Sequence, residues 1–195
     1  YYAWTWGDAL FVVIDPYLPS TVPLATIFGN TPLNKDSWAV THGDAQYQWL
    51  KTTLETSKAK YRFVFAHHVM GAGRGGVEVA HLAEWGGQNK NGVNEFAAKR
   101  PTWSSPIHQL MAANKVNAFF QGHDHIWVRQ QLDGVTYQTL SEPANPAYGY
   151  SEWDAAYLSG DKFPNSGYTR VTVKPAGVTV DYVRSYLPAD ESATR

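Results

Sequence analysis

The chain has 195 residues and a net charge of −1, with 17% charged and 44% hydrophobic residues; that length allows a single domain, 1–195, with a sizeable core. The near-neutral balance offers no clustered basic face for a nucleic-acid scaffold role, and no apolar run approaches a membrane span. There is no cysteine, which removes disulfides, thiolate ligands and cysteine nucleophiles together. That absence fits exported and cytosolic proteins alike; we expect an extracytoplasmic one, periplasmic or secreted. The chain opens on Tyr1-Tyr2-Ala3-Trp4 with no initiator Met, so we expect a fragment or a processed product. Eight Trp and twelve Tyr supply either core packing or an aromatic-lined cleft.

The run Ala9-Leu10-Phe11-Val12-Val13-Ile14 before Asp15-Pro16 predicts a buried strand. Four prolines and Gly29 within 16–43 predict a long loop. Asp44 is the expected cap of a helix over 45–57, with Trp49, Leu50, Thr53 and Leu54 on one face. A strand over 61–66 follows and ends in His67-His68. Residues 69–104 are glycine-rich and irregular, a candidate site wall, with a short helix expected near 77–83. Ser105-Pro106 predicts a helix start that buries Ile107, Leu110 and Met111, and 116–121 is the next strand. Leu132-Asp133-Gly134 and Pro175-Ala176-Gly177 each join two alternating runs, which predicts two antiparallel hairpins. The polar tail from Pro188 is expected to fray.

The chemistry lies in the histidines. Gly122-His123-Asp124-His125 comes directly after the apolar run that ends at Gln121, and His67-His68 follows a strand in the same way. We expect Gly122 to let the backbone turn sharply there. Strand ends are where open α/β sheets place ligands, and neutral imidazole is the commonest side-chain metal ligand. His67, His123 and His125 are therefore the candidate metal ligands, expected to converge at one sheet edge. Three imidazoles could hold one zinc with water in the fourth place. Asp124, between two of them, would point away. His42, His81 and His108 stand alone and read as structural.

In order and spacing these segments resemble the calcineurin-like metallophosphoesterases, the superfamily that includes the purple acid phosphatases. The resemblance rests on Phe63 to His68, on Gly-His-x-His at 122–125 and on the hairpin after it. It also rests on Tyr-x-x-x-x-Gly-Asp at 2–8 and on Gly43-Asp44-x-Gln46-x-x-Trp49-Leu50. What it implies is an α/β fold, part of a β-sandwich of two mixed sheets flanked by helices, with C-terminal antiparallel hairpins. It implies metal-dependent hydrolysis of phosphate mono- or diesters at two divalent or trivalent ions such as Fe, Zn or Mn. His67 and His123 would bind one ion and His125 the other, and His68 would line the substrate pocket as the catalytic residue. The nucleophile would come from water, not from the protein.

The departures are specific. The family's Asp-x-His, Gly-Asp-x-x-Asp and Gly-Asn-His motifs do not occur before residue 61, and Val69 replaces the usual proline. The bridging Asp, the Asn ligand and the usual catalytic His are thus missing. We therefore expect the C-terminal portion of such a catalytic domain, whose missing N-terminal part, or a second chain carrying it, supplies strands to pair with those ending at Ile14, Ala66 and Gln121. Two alternatives stay open: a mononuclear zinc hydrolase, and a non-catalytic aromatic-rich domain binding through Trp85, Trp103, Trp127 and Trp153.

Overall fold

The computed structural model describes residues 1–17, 19–20, 37–70 and 74–192. Most of the loop expected over 16–43, Gly71 and Gly73 of the expected site wall, and the tail at 193–195 lie outside the described residues.

Seven strands form one mixed sheet: β1 (Tyr2–Trp6), β2 (Ala9–Val13), β3 (Tyr61–Phe65), β4 (Ala118–Gln121), β5 (Trp127–Leu132), β6 (Val135–Thr139) and β7 (Asp161–Phe163). Their order is β1-β2-β3-β4-β6-β5-β7. The centre, β2 to β3 to β4 to β6, is parallel; β1 pairs antiparallel with β2, and β5 runs antiparallel between β6 and β7. Parallel neighbours need crossovers, and two helices supply them: α1 (Gly43–Thr56) between β2 and β3, and α2 (Ile107–Ala113) before β4. A separate hairpin joins β8 (Gly167–Lys174) to β9 (Gly177–Arg184).

Alternation along the strands divides the core. Leu10, Val12, Ile14, Val64, Phe119 and Tyr137 meet Tyr47, Leu50 and Leu54 of α1 and Ile107, Leu110 and Met111 of α2. The other face carries Ala9, Tyr61, Phe63, Ala118 and Phe120, with Val178 and Val180 of β9 laid against them. Each fully buried apolar side chain stabilises by about 1.5–3 kcal/mol, so both faces of the central strands count. The hairpin is tied down by Trp127, whose ring stacks 5.3 Å from Tyr182 and whose Nε1–H donates to Thr169 at 3.2 Å.

Several expectations change. The second mixed sheet is here the two-stranded hairpin. β2, β3 and β4 each have a partner on both sides, so the strands that were to be paired from outside are internal ones. The edge strands are β1 and β7; the Trp/Tyr-rich run of β1 reads as a motif rather than a strand, and Trp6 on it is 79% exposed. Helix α1 starts before Asp44: the Gly43 N–H donates to Thr41 Oγ1 at 2.9 Å. The Asp44 carboxylate instead accepts the Trp103 Nε1–H at 2.7 Å. Its expected stripe shifts toward Gln46, Tyr47, Leu50 and Leu54, with Trp49 and Thr53 only half-buried. Pro106, not Ser105, is the N-cap of α2; the Ser105 carbonyl accepts the Tyr47 hydroxyl at 2.7 Å. Residues 76–79 form a single 3₁₀ turn. Both hairpins form as read, and Asp133 and Gly134 take φ of 47° and 81°, the left-handed pair of a type I′ turn.

Candidate metal centre

β3 and β4 run side by side in the same direction, with Phe65 opposite Phe120. Both chains therefore leave the sheet at its carboxyl edge, a two-residue step before His67 and His68 on one and just before His123 on the other. The ladder continues past the strand ends: Ala66 N–H donates to the Phe120 carbonyl at 3.0 Å, and Gly122 N–H to the His67 carbonyl at 2.9 Å. A Cβ on Gly122 would lie 3.3 Å from that carbonyl oxygen. Gly122 thus serves close approach, and the sharp turn is made by the next residue. His123 has φ of 70°, and the Asp124 N–H donates across it to the Gly122 carbonyl at 2.8 Å. An i to i+2 bond about a residue of positive φ is a strained γ-turn, and such strain is retained where surrounding structure fixes it.

The result is a group of three imidazoles. Ring centroids are 4.6 Å apart for His67 and His68, 5.3 Å for His67 and His123, and 4.2 Å for His68 and His123. One ring nitrogen from each lies within 4.8 Å of the other two, a set that could hold a metal ion, and among the described residues no carboxylate joins it. His67 is exposed, His123 half-buried and His68 buried; the Tyr17 ring packs 4.3 Å from His68. Burial pushes the His68 imidazole down to about 3, with the neighbouring His123, His67 and Arg74 adding to the shift. Burial and Arg74 also lower His123. Both rings are neutral at pH 7, the protonation state a ligand requires. The donor set fits a divalent transition metal, for which imidazole is a suitable ligand.

His125 lies outside this group. Its φ of 53° turns the backbone again, and its side chain is exposed with Nδ1 3.9 Å from the Glu142 carboxylate. Its carbonyl is held by the Asn165 amide at 2.7 Å. Asp124 is fully buried and accepts from Tyr157 at 2.8 Å, from the Gly75 N–H at 3.3 Å and from Arg74 at 2.5 Å. Of the lone histidines, His108 is spanned by Tyr137 and Asp133 at 2.6 and 2.8 Å. His42 is buried with Nδ1 2.7 Å from Glu84, and His81 is exposed. Trp85, Trp103 and Trp127 are buried and present no binding surface; Trp153 is half-buried. Arg74, which sequence reasoning passed over, is the only arginine between His68 and Lys90, set among glycines six residues after His68.

A scan against known protein-family models and a search of curated protein sequences both find no match. Solved structures do match. The purple acid phosphatase PPD1 from yellow lupin (Lupinus luteus) seeds superposes with a TM-score of 0.54 at 14% identity, covering 94% of this chain and 30% of that one. The chain has a metallophosphoesterase-like fold. PhoD matches with a TM-score of 0.53 at 15% identity over 93% of this chain and 40% of its own. GAP50, described as the anchor in the inner membrane complex of Plasmodium, matches at 0.50 and 15% over 94% and 48%. The chain thus spans between 30 and 48% of the length of these structures.

Proposed function

We propose that this chain carries the histidine side of a metal-dependent phosphoric ester hydrolase. The observation that supports the reading is the meeting of His67, His68 and His123 at the carboxyl edge of a sheet whose fold is metallophosphoesterase-like. In this reading the three imidazoles hold one ion, with His68 joining the pair His67 and His123. His125, exposed beside Glu142, is left to a second ion, and among the described residues no carboxylate joins the three imidazoles. When bound, the metal supplies Lewis acidity toward a phosphoryl oxygen and lowers the pKa of water. The protein's part is to keep the rings neutral by burial, to fix their spacing through the β3–β4 ladder, and to exclude water on the Tyr17 side. An all-imidazole group also favours a second reading, a mononuclear zinc hydrolase.

Metal analysis tests the proposal. The purified chain, dialysed against zinc and then buffer, should retain about one equivalent by the three-ligand count. Turnover of p-nitrophenyl phosphate or its bis ester should be negligible without a bridging carboxylate. A chain that retains no stoichiometric metal sinks the reading and leaves a non-catalytic domain. One equivalent of zinc with robust turnover moves the assignment to the mononuclear enzyme.

A further inference from the structure

Arg74 is built into the edge of the histidine site in a way that a solvated surface arginine is not. Its Nη1 donates to the Asp124 carboxylate at 2.5 Å, and the partner carboxylate is fully buried. Its guanidinium carbon lies 3.9 Å from the centroid of the Trp153 ring, stacked over the indole face. The backbone after it is fixed as well: Gly75 has φ of 99°, its N–H reaches Asp124, and a Cβ there would strike the Ala156 carbonyl. Asp124 in turn is the residue between His123 and His125, held by the Tyr157 hydroxyl. Burial pushes the Tyr157 pKa up, so this hydroxyl stays a donor.

A guanidinium has five N–H donors in a planar fork. One edge of this one is spent on Asp124 and one face on Trp153; the side chain remains 24% exposed. Its charge reaches His68, His123 and Tyr17, so the cation borders two of the three imidazoles. A salt bridge needed only to neutralise Asp124 does not require this stacked, edge-on presentation beside a ligand cluster.

We propose that Arg74 is the anion-holding arm of this site: clamped by Asp124 and Trp153, it offers its remaining N–H donors to the oxygens of a tetrahedral oxyanion of the phosphoryl class lying over His67, His68 and His123. The assignment rests on the reading of the three histidines as a metal centre, and it places the substrate's charged group on the side of the loop that follows His68.

Inorganic phosphate is the probe, titrated calorimetrically into the 195-residue chain both zinc-loaded and chelator-treated. Arg74→Gln should weaken phosphate binding by about 10- to 100-fold, the span of one charge-assisted hydrogen bond, while zinc affinity stays within about threefold because no ligand is touched. Arg74→Lys should fall between, keeping the charge and losing the fork. Arg74→Gln leaves Asp124 buried and unpaired, so the double variant Arg74→Gln/Asp124→Asn, which removes both charges, keeps the test valid if the single variant fails to fold. That double variant should fold and still fail to bind phosphate. Phosphate binding by either variant at wild-type strength overturns the proposal, and so does a wild-type chain that binds no phosphate in either form. If the chain holds no zinc yet loses phosphate on Arg74→Gln, the anion site stands and the metal reading falls.

Discussion

Two histidine sites in this chain show opposite ways to use an imidazole. At His108 each ring nitrogen is taken, one by the Tyr137 hydroxyl and one by Asp133 in the β5–β6 turn, so the ring is a cross-brace between α2 and the sheet. At the β3–β4 edge imidazole faces imidazole, with ring centroids 4.2–5.3 Å apart, and burial holds His68 neutral. A ring saturated by protein partners is closed to a ligand; a set of rings gathered by strained backbone is arranged for one. The difference lies in what surrounds each histidine, and not in its burial, since His68 and His108 are both buried.

The contrast can be broken by substitution. The largest effect should come from His68→Ala or His123→Ala, each lowering zinc affinity by more than about 100-fold, beyond the loss seen when only an outer partner is removed; chelator competition measures it. His108→Ala should leave zinc affinity within about twofold and instead cost about 1–3 kcal/mol of stability in urea titration, from the orphaned Tyr137 and Asp133 contacts. Zinc loss in His108→Ala would erase the distinction. Glu84 sharpens it through pH. Burial alone would raise this carboxyl, but hydrogen bonds from His42 and Thr41 hold it below its ordinary value. Its folded pKa is depressed, so its stabilisation is complete above the unfolded value near 4.5 and is lost as pH falls through the folded one. Glu84→Gln should therefore flatten the acid limb of the stability curve and leave zinc binding at pH 7 unchanged. The smallest effect is expected from His125→Ala, about threefold or less on the first zinc equivalent, because the side chain makes no ring contact with the group. A loss equal to that of His123→Ala would restore the set His67, His123 and His125.

The sequence made the carboxyl edge legible because apolar runs and glycine signals locate strand ends well. The runs at 9–15, 61–66 and 116–121 became β2, β3 and β4, and their histidines meet because the strands are parallel neighbours. What it concealed was rotation. Whether His68 or His125 completes the group depends on φ of 70° at His123 and 53° at His125, and histidine in that region is too uncommon to be read from residue type. Arg74 was hidden for another reason: its anchors, Asp124 and Trp153, lie 50 and 79 residues away in the chain, so only tertiary structure identifies it. β1 and β7 were missed because an aromatic-rich edge run and a three-residue strand carry little periodic signal.

The β8–β9 hairpin has a consequence for motion. Two strands alone are marginal in water, and this pair is mostly half-buried or exposed, held to the sheet through Val178, Val180, Trp127 and Tyr61. Its amides should exchange with solvent deuterium before those of β3 and β4, as a unit that lifts off while the histidine edge stays closed. The same opening would uncover Phe63 and Phe120 from one side without disturbing the helices on the other. This protein then has two thermal faces: a slow one under α1 and α2 that keeps the imidazoles in register, and a fast one under the hairpin.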